Sequence, residues 1–267
     1  MVVSINILLQ KDMAEAESNK LKFTKMHAFG NDFVIFDFRI TPEKQFTESD
    51  LILTCDRNFG IGCDQLITIH KSATPDDEKG TNVMIKVYNN DGSVAENCGN
   101  GIRCVAGFVA KENTKPLVRV QLGNKITLVK VDRENEFAKA NMGTPIINGD
   151  IVDLGNKHKI IIVDNFDNMD FTPNPDYNVH YVQVRSRTEV FMRTIERGVG
   201  ETMSCGSGTC AVAGYCIKNN LTDKVMKVTS RGSDIMDTSA EISWDGEGKP
   251  MLLGGNYSFV FTGEIEI

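Results

Sequence analysis

The sequence predicts an α/β (α+β) protein of two pseudo-symmetric domains, each a curved, mostly antiparallel sheet wrapped around a central helix. Three observations carry that expectation. Cys98-Gly99-Asn100-Gly101-Ile102-Arg103-Cys104-Val105-Ala106-Gly107-Phe108 and Cys205-Gly206-Ser207-Gly208-Thr209-Cys210-Ala211-Val212-Ala213-Gly214-Tyr215 align without a gap, and the match runs on to Lys111 and Lys218. Short β-branched and aromatic runs dominate both halves. Helical patterns are few, and the two that open at the cysteines are mostly apolar, as expected of helices buried inside a curved sheet.

In chain order, Gly30-Asn31 precedes a β run at Phe33–Phe38, and Thr47 is placed to cap a helix through Asp56. Strands follow at Leu66–Ile69 and Val83–Tyr88, the latter closed by the turn residues Asn90-Asp91-Gly92. The first cysteine helix places Ile102, Val105, Ala106 and Val109 on one face, and strands at Leu117–Leu122 and Ile126–Val131 complete the half. A Gly-x-Pro break in Asn141-Met142-Gly143-Thr144-Pro145 marks the seam. The second half repeats the order. Gly155-Asn156 precedes Ile160–Val163, and strands follow at Tyr181–Val184 and Val190–Ile195. The second cysteine helix comes next, with Thr209, Val212, Ala213, Cys216 and Ile217 on one face. Val225–Thr229, Ala240–Trp244 and Tyr257–Phe261 close the chain. The division is therefore an extension over 1–20, a first half over 21–140 and a second over 141–255, with 256–267 available to complete the first half.

At 267 residues with 41% hydrophobic and 24% charged residues, the chain can bury a core in each half. A net charge of -7 without a basic run argues against nucleic acid, which requires clustered Lys and Arg. No apolar stretch reaches the ~20 residues of a membrane helix. Val2–Leu9 is interrupted by Ser4 and Asn6 and lacks a basic leader, so it does not read as a secretory signal. Seven scattered cysteines fit free thiols in a reducing compartment, and the expected location is the cytoplasm.

The repeated cysteine carries the chemistry. Inverting a carbon centre needs one group to remove a proton from one face and another to deliver a proton to the opposite face. A duplicated domain that presents the same thiol twice suits that task, so Cys98 and Cys205 are the candidate catalytic residues. At a helix start, unpaired N–H groups and the dipole are expected to lower a thiol below its free value of about 8.5. Gly99, Gly101, Gly206 and Gly208 let the backbone approach a ligand, and two helix N-termini suit an α-carboxylate. No lysine and phosphate cradle for pyridoxal phosphate is evident, so no cofactor is expected. Cys104, Cys210, Cys216, Cys55 and Cys63 read as core residues. Cys-x5-Cys and Cys-x4-Cys as zinc ligands have unusual spacing, and no metal is expected. Neither copy carries the Gly-x-Gly-x-x-Gly or Lys-Ser/Thr of a nucleotide loop.

Together with Lys25-Met26-His27-Ala28-Phe29-Gly30-Asn31-Asp32-Phe33, Gly60-Ile61-Gly62-Cys63-Asp64-Gln65-Leu66, Tyr88-Asn89-Asn90-Asp91-Gly92-Ser93 and Glu196-Arg197-Gly198-Val199-Gly200-Glu201-Thr202, the cysteine stretches resemble the diaminopimelate epimerase family from about Lys22 to the C-terminus. The resemblance implies two pseudo-symmetric domains with the substrate between them. It implies interconversion of LL- and meso-diaminopimelate without cofactor, for lysine and peptidoglycan precursors, by a homodimer. It implies that Cys98 is the base toward the LL isomer with Cys205 as the acid, and the reverse for the meso isomer. Gly99, Asn100, Gly206 and Ser207 are then the carboxylate cradle. Asn31, Gln65, Asn89, Asn156, Asn178, Glu196 and Arg197 are substrate contacts, with Arg197 on the distal carboxylate. His158 and Glu196 tune the reacting centre. Lys157 stands where the family usually has proline, and His180 where a small or polar residue is more usual. The segment from Asp164 to Asn178 is shorter than is common. Proline racemase or hydroxyproline epimerase, with the same thiols, is the nearest alternative. Those enzymes commonly carry His where this chain has Asn100. From another class, a catalytically inactive amino-acid-binding protein remains open, as does a zinc-bound structural protein. Phenazine-type isomerases fit less well because they lack the thiol pair.

Overall fold

A computed structural model describes residues 20–112, 115–167, 170, 172–198, 200–202, 205–231 and 239–267. The expected N-terminal extension, apart from Lys20, lies outside the described residues, as does part of the shortened 164–178 segment. The first half runs β1 (Lys20–Ala28), β2 (Asn31–Asp37), α1 (Glu48–Cys55), β3 (Gln65–Lys71), β4 (Gly80–Asn89), α2 (Gly99–Lys111), β5 (Leu117–Leu122), β6 (Lys125–Asp132) and β7 (Phe137–Gly143). The chain continues through β8 (Ile146–Asn148), β9 (Ile151–Asp153), β10 (Lys157–Ile162), β11 (Asn178–Ser186), β12 (Glu189–Glu196) and β13 (Gly200–Thr202). It ends with α3 (Gly206–Lys218), β14 (Val225–Ser230), β15 (Ala240–Trp244), β16 (Met251–Asn256) and β17 (Ser258–Glu266).

The strand pairing repeats. β1/β2 is antiparallel, β2/β3 parallel, β3/β4 antiparallel, β4/β5 parallel, and β5/β6 and β6/β7 antiparallel. The second half follows the same alternation through β9/β10, β10/β11, β11/β12, β12/β14, β14/β15 and β15/β16. β7 and β16 pair antiparallel, so the two halves share one hydrogen-bonded sheet, of 17 strands among the described residues. β17 returns to pair with β1. The β1, β7 and β16 strands had weak sequence signals. In β7 the inward residues are Ala138, Ala140 and Met142, none β-branched, and β16 carries Gly254-Gly255, which reads as a breaker. Pairing with neighbours, rather than local propensity, makes them strands.

Each central helix is enclosed by its own half of the sheet. α2 packs against β1, β2, β5, β6 and β7, and α3 against β9, β10, β11, β14, β15 and β16. Small residues along both helices, such as Ala106 and Ala110 in α2 and Ala211 and Ala213 in α3, let the curved sheet close on them, and all four are fully buried. Burying each Val or Ile of these helices contributes about 1.5–3 kcal/mol. α1 begins as expected: the Thr47 side chain accepts from the Asp50 N–H at 3.2 Å, and the Asp50 carboxylate accepts from the Thr47 N–H at 2.9 Å. Its buried Leu51 and Cys55 join Phe36, Phe38, Cys63 and Leu66 in a separate apolar cluster. No helix among the described residues is long and apolar enough to cross a membrane.

Candidate active site

Cys98 caps α2 and Cys205 caps α3. Both thiols line one cavity of about 690 Å³ whose walls come from the two halves. The first turn of each helix has N–H groups with no partner inside the helix, so Gly99 and Asn100 on one side and Gly206 and Ser207 on the other offer donors to the cavity they line. Gly101 and Gly208 are required by close approach. A side chain at Gly101 would lie 2.7 Å from both Cys98 Sγ and Ile67 Cδ1, and one at Gly208 would lie 2.2 Å from the His180 ring.

The Cys98 thiol donates to Gln65 Oε1 at 3.0 Å and accepts from the Gly101 N–H at 3.3 Å. Gln65 in turn donates to Asn89 Oδ1 at 2.8 Å. Cys205 Sγ lies 3.7 Å from Ser207 Oγ and beside the Glu196 carboxylate, and unlike Cys98 it makes no side-chain capping hydrogen bond. Glu196 accepts from the Thr202 hydroxyl at 2.7 Å. The expected low thiol pKa values are not what this geometry produces. Burial pushes both Cys98 and Cys205 up to about 12. At Cys205 the Glu196 charge pushes further in the same direction, while the Gly208 N–H and Ser207 pull back. At Cys98 the Gly101 N–H and the nearby Arg103 pull back. Desolvation of the sulfur outweighs the helix terminus because both thiols are more than nine-tenths buried.

The asparagines are held by different devices. Asn31 donates to Asp64 Oδ2 at 2.9 Å and accepts from Asn100 Nδ2 at 3.3 Å. Asp64 is steadied by Arg57, which also forks onto Asp32 at 2.9 and 2.8 Å. Burial opposes ionisation of Asp32, but Arg57 and Lys25 hold it well below the usual carboxylate range. Asn100 Oδ1 accepts from Arg103 at 2.6 Å. Arg103 is fully buried, with its guanidinium 4.3 Å over the Phe29 ring and its Nε and second NH2 group without hydrogen-bond partners among the described residues. Burial lowers its pKa to about 10, so it stays cationic at neutral pH behind Cys98. In the second half Asn156 Oδ1 lies 3.0 Å from His158 Nε2, and Asn156 donates to Ser207 Oγ at 3.5 Å. His158 is fully buried and reaches the cavity only through Asn156.

Asn31, Gln65, Asn89, Gly99, Asn100, Asn156, Glu196, Gly206 and Ser207 all line the cavity with the two thiols. Asn178 and Arg197 do not. Asn178 is buried and accepts the Arg197 backbone N–H at 2.9 Å, and the Arg197 side chain is exposed. Glu201, a carboxylate of the same stretch, is held by Arg193 at 2.6 Å and Arg231 at 2.5 Å. Residues the motif reading did not single out also line the cavity, among them Asp64, Asn97, Met142, Glu201 and Thr202. Asp64 adjoins Gln65 and Asn97 adjoins Cys98, so adjacency to the motif was the available signal. Met142 had none, since its position depends on where β7 enters the sheet.

The family model for diaminopimelate epimerase matches residues 23–147 and 151–258. A diaminopimelate epimerase from Ralstonia nicotianae is 32% identical over 295 residues, covering 93% of this chain and 97% of that one. One from Teredinibacter turnerae is 32% identical over 287 residues, covering 93% and 100%. Among solved structures, a Bacillus anthracis phenazine biosynthesis protein of the PhzF family superposes with a TM-score of 0.69 at 16% identity, covering 93% of this chain and 99% of that one. A hydroxyproline epimerase from Agrobacterium vitis superposes with a TM-score of 0.62 at 9% identity, covering 93% of each chain. The structural matches establish the fold alone. The sequence matches span both thiol-bearing helices and nearly the whole length of the relatives, and on them the chain belongs to the diaminopimelate epimerase family.

Proposed function

We propose that this chain interconverts LL- and meso-diaminopimelate, with Cys98 and Cys205 as the two proton-transfer groups. The observation that carries the reading is the meeting of two thiols, each at the start of a central helix and one from each repeat, at a single cavity. In the LL direction the Cys98 thiolate takes the Cα proton and the Cys205 thiol donates its own to the opposite face, leaving Cys98 protonated and Cys205 ionised. The meso direction reverses these roles. A thiol pushed up to about 12 is seldom ionised but is a strong base once it is, which suits a weakly acidic Cα–H. Access of bulk water is limited by the burial of both sulfurs.

The N–H groups of Gly99, Asn100, Gly206 and Ser207 receive the α-carboxylate and stabilise charge that develops beside it. Asn31, Gln65, Asn89 and Asn156 supply amide contacts to the amino and carboxylate groups. Glu196 and His158 tune the Cys205 side. Asn178 positions the backbone at Arg197, whose exposed guanidinium takes the distal carboxylate at the rim. The chain divides at 141 into halves over 21–140 and 141–255, with 256–267 completing the first, and works as a cytoplasmic homodimer without cofactor or metal.

The test is proton NMR of the reduced protein in D2O with LL-diaminopimelate in one sample and L-proline in another. Deuterium entering Cα of diaminopimelate as the meso isomer appears is the expected result. Exchange with proline alone would move the substrate to the ring amino acids, and exchange with neither would leave a binding protein.

A further inference from the structure

Behind Asn156 a buried polar file runs through His158 and His180 to Thr194. Thr194 Oγ1 lies 3.0 Å from His180 Nδ1, His180 Nε2 lies 2.8 Å from His158 Nδ1, and His158 Nε2 lies 3.0 Å from Asn156 Oδ1. Thr194 is 2% exposed, and both imidazoles are fully buried. The direction of the protons follows from one end. Asn156 Oδ1 can only accept, so His158 Nε2 carries a hydrogen. Burial keeps His158 neutral at physiological pH, its pKa lowered to about 4 although Asp153 pulls the other way. His158 Nδ1 is therefore bare and accepts from His180 Nε2. Burial, and next the neighbouring His158, hold His180 well below the usual histidine range, so its Nδ1 is bare too and accepts from the Thr194 hydroxyl.

The far end of the file reaches a thiol. With Oδ1 engaged by His158, Asn156 turns its NH2 toward Ser207 Oγ at 3.5 Å. Ser207 then accepts from Asn156 and has its own proton free for Cys205 Sγ, 3.7 Å away. Opposite tautomers would invert this order. Asn156 would present its oxygen, Ser207 would donate to it, and the Cys205 thiolate would lose a hydroxyl donor. His180 also packs against the first turn of α3. Its ring fills the space where a Gly208 side chain would stand.

We propose that His180 is a positioning residue for the Cys205 side of the cavity: with Thr194 behind it and His158 in front, it forms a one-way hydrogen-bond relay that aims the Asn156 amide N–H and the Ser207 hydroxyl proton toward the thiol. The catalytic consequence rests on Cys205 acting as proposed above. The first half has no counterpart, because Phe33 and Ile67 occupy the corresponding places beneath Gly101.

The relay is tested on the reduced, substrate-free full chain labelled with 15N-histidine. Long-range 1H–15N correlation is expected to show His158 and His180 as neutral Nε2–H tautomers between about pH 6 and 8. An Nδ1–H tautomer or an imidazolium at either residue would overturn the relay. Kinetics supply the second readout. The amide of His180→Gln reaches the Nε2 position and can still donate to His158, whereas that of His180→Asn reaches only the Nδ1 position. The Asn variant is expected to lose about tenfold in kcat with little change in KM, and the Gln variant to stay within about threefold of the wild type. Equal losses in both would overturn the proposal. Lack of turnover by the wild-type protein would count against the functional reading alone, since the spectrum reports the tautomers without turnover.

Discussion

Around Cys98 the polar neighbours are amides, Gln65 and Asn89, and the side chains beneath Gly101 are Phe33 and Ile67. Around Cys205 they are the Glu196 carboxylate, the Ser207 hydroxyl and, beneath Gly208, the His180 imidazole. The backbone equivalence behind this contrast is tight. Phe33 pairs with Gln65 in the parallel β2/β3 ladder, and His158 with Asn178 in the parallel β10/β11 ladder. Two steps further along, Ile67 and His180 occupy matching places. A repeated backbone thus delivers two thiols to one cavity, yet the first is hydrogen-bonded to an amide, with Arg103 and Asp64 acting from further away, and the second lies beside a carboxylate. Burial pushes both thiols up to about 12, so symmetry of position governs the larger cause, while the charged neighbours that modulate it differ between the two sides.

The largest test removes the feature the halves share. Cys98→Ala and Cys205→Ala are each expected to lower epimerisation by at least about 10³-fold in both directions while leaving the fold intact. Near-normal turnover by either, followed by NMR in D2O, would end the two-thiol reading. Next comes a cation that only one half carries. Arg197 follows Glu196, whereas Asn90 follows Asn89 at the matching place. Arg197→Ala is expected to raise KM for diaminopimelate about tenfold with a smaller change in kcat, as loss of a substrate contact should. An unchanged KM in steady-state kinetics would remove the residue from the rim.

Exchanging the acidic neighbour sharpens the contrast. A carboxylate beside a thiol disfavours its ionised form, so Glu196→Gln should lower the Cys205 pKa, and Gln65→Glu should raise that of Cys98, each by about one unit. Alkylation rates of each thiol against pH, resolved by peptide mapping, would show the opposite shifts; shifts of the same sign would contradict them. The glycines should differ in cost as well. Gly208→Ala drives a methyl into a rigid ring at 2.2 Å, while Gly101→Ala meets the ends of more yielding side chains at 2.7 Å. The first should cost about 1–3 kcal/mol and the second less, measured by urea unfolding.

Acid stability is the smallest effect. The folded pKa of His158 is lowered from 6.5 to about 4, and that of His180 is displaced in the same direction. Their contribution is therefore fully present above the unfolded value and is lost as pH falls from 6.5 toward 4, where the unfolded chain binds more protons. Transplanting the first half's residues, His158→Phe with His180→Ile, should flatten the fall of Tm over that window. An unchanged slope would assign the acid sensitivity elsewhere.

Much of this molecule is legible in its sequence. The repeat located both central helices, their starts at the thiols, and most strands. Nine of the residues expected to contact substrate line the cavity with the two thiols. The exceptions are instructive. Asn178 and Arg197 lie close to the lining in sequence but outside it, one accepting a backbone N–H and the other exposed. His180, visible in the sequence only as a departure from the family, acquires its meaning from a neighbour on an adjacent strand.

The division has a physical reason. Helix periodicity, glycines at a close approach and a duplicated motif are local or self-referential patterns, so the sequence alone determined two equivalent half-folds, each bearing a thiol at a helix start. Which side chains meet around each thiol, and how far burial lifts their pKa values, depends on strand register and on the depth of the cavity between the halves. Those are sums over contacts distant in sequence, and only the tertiary structure decided them.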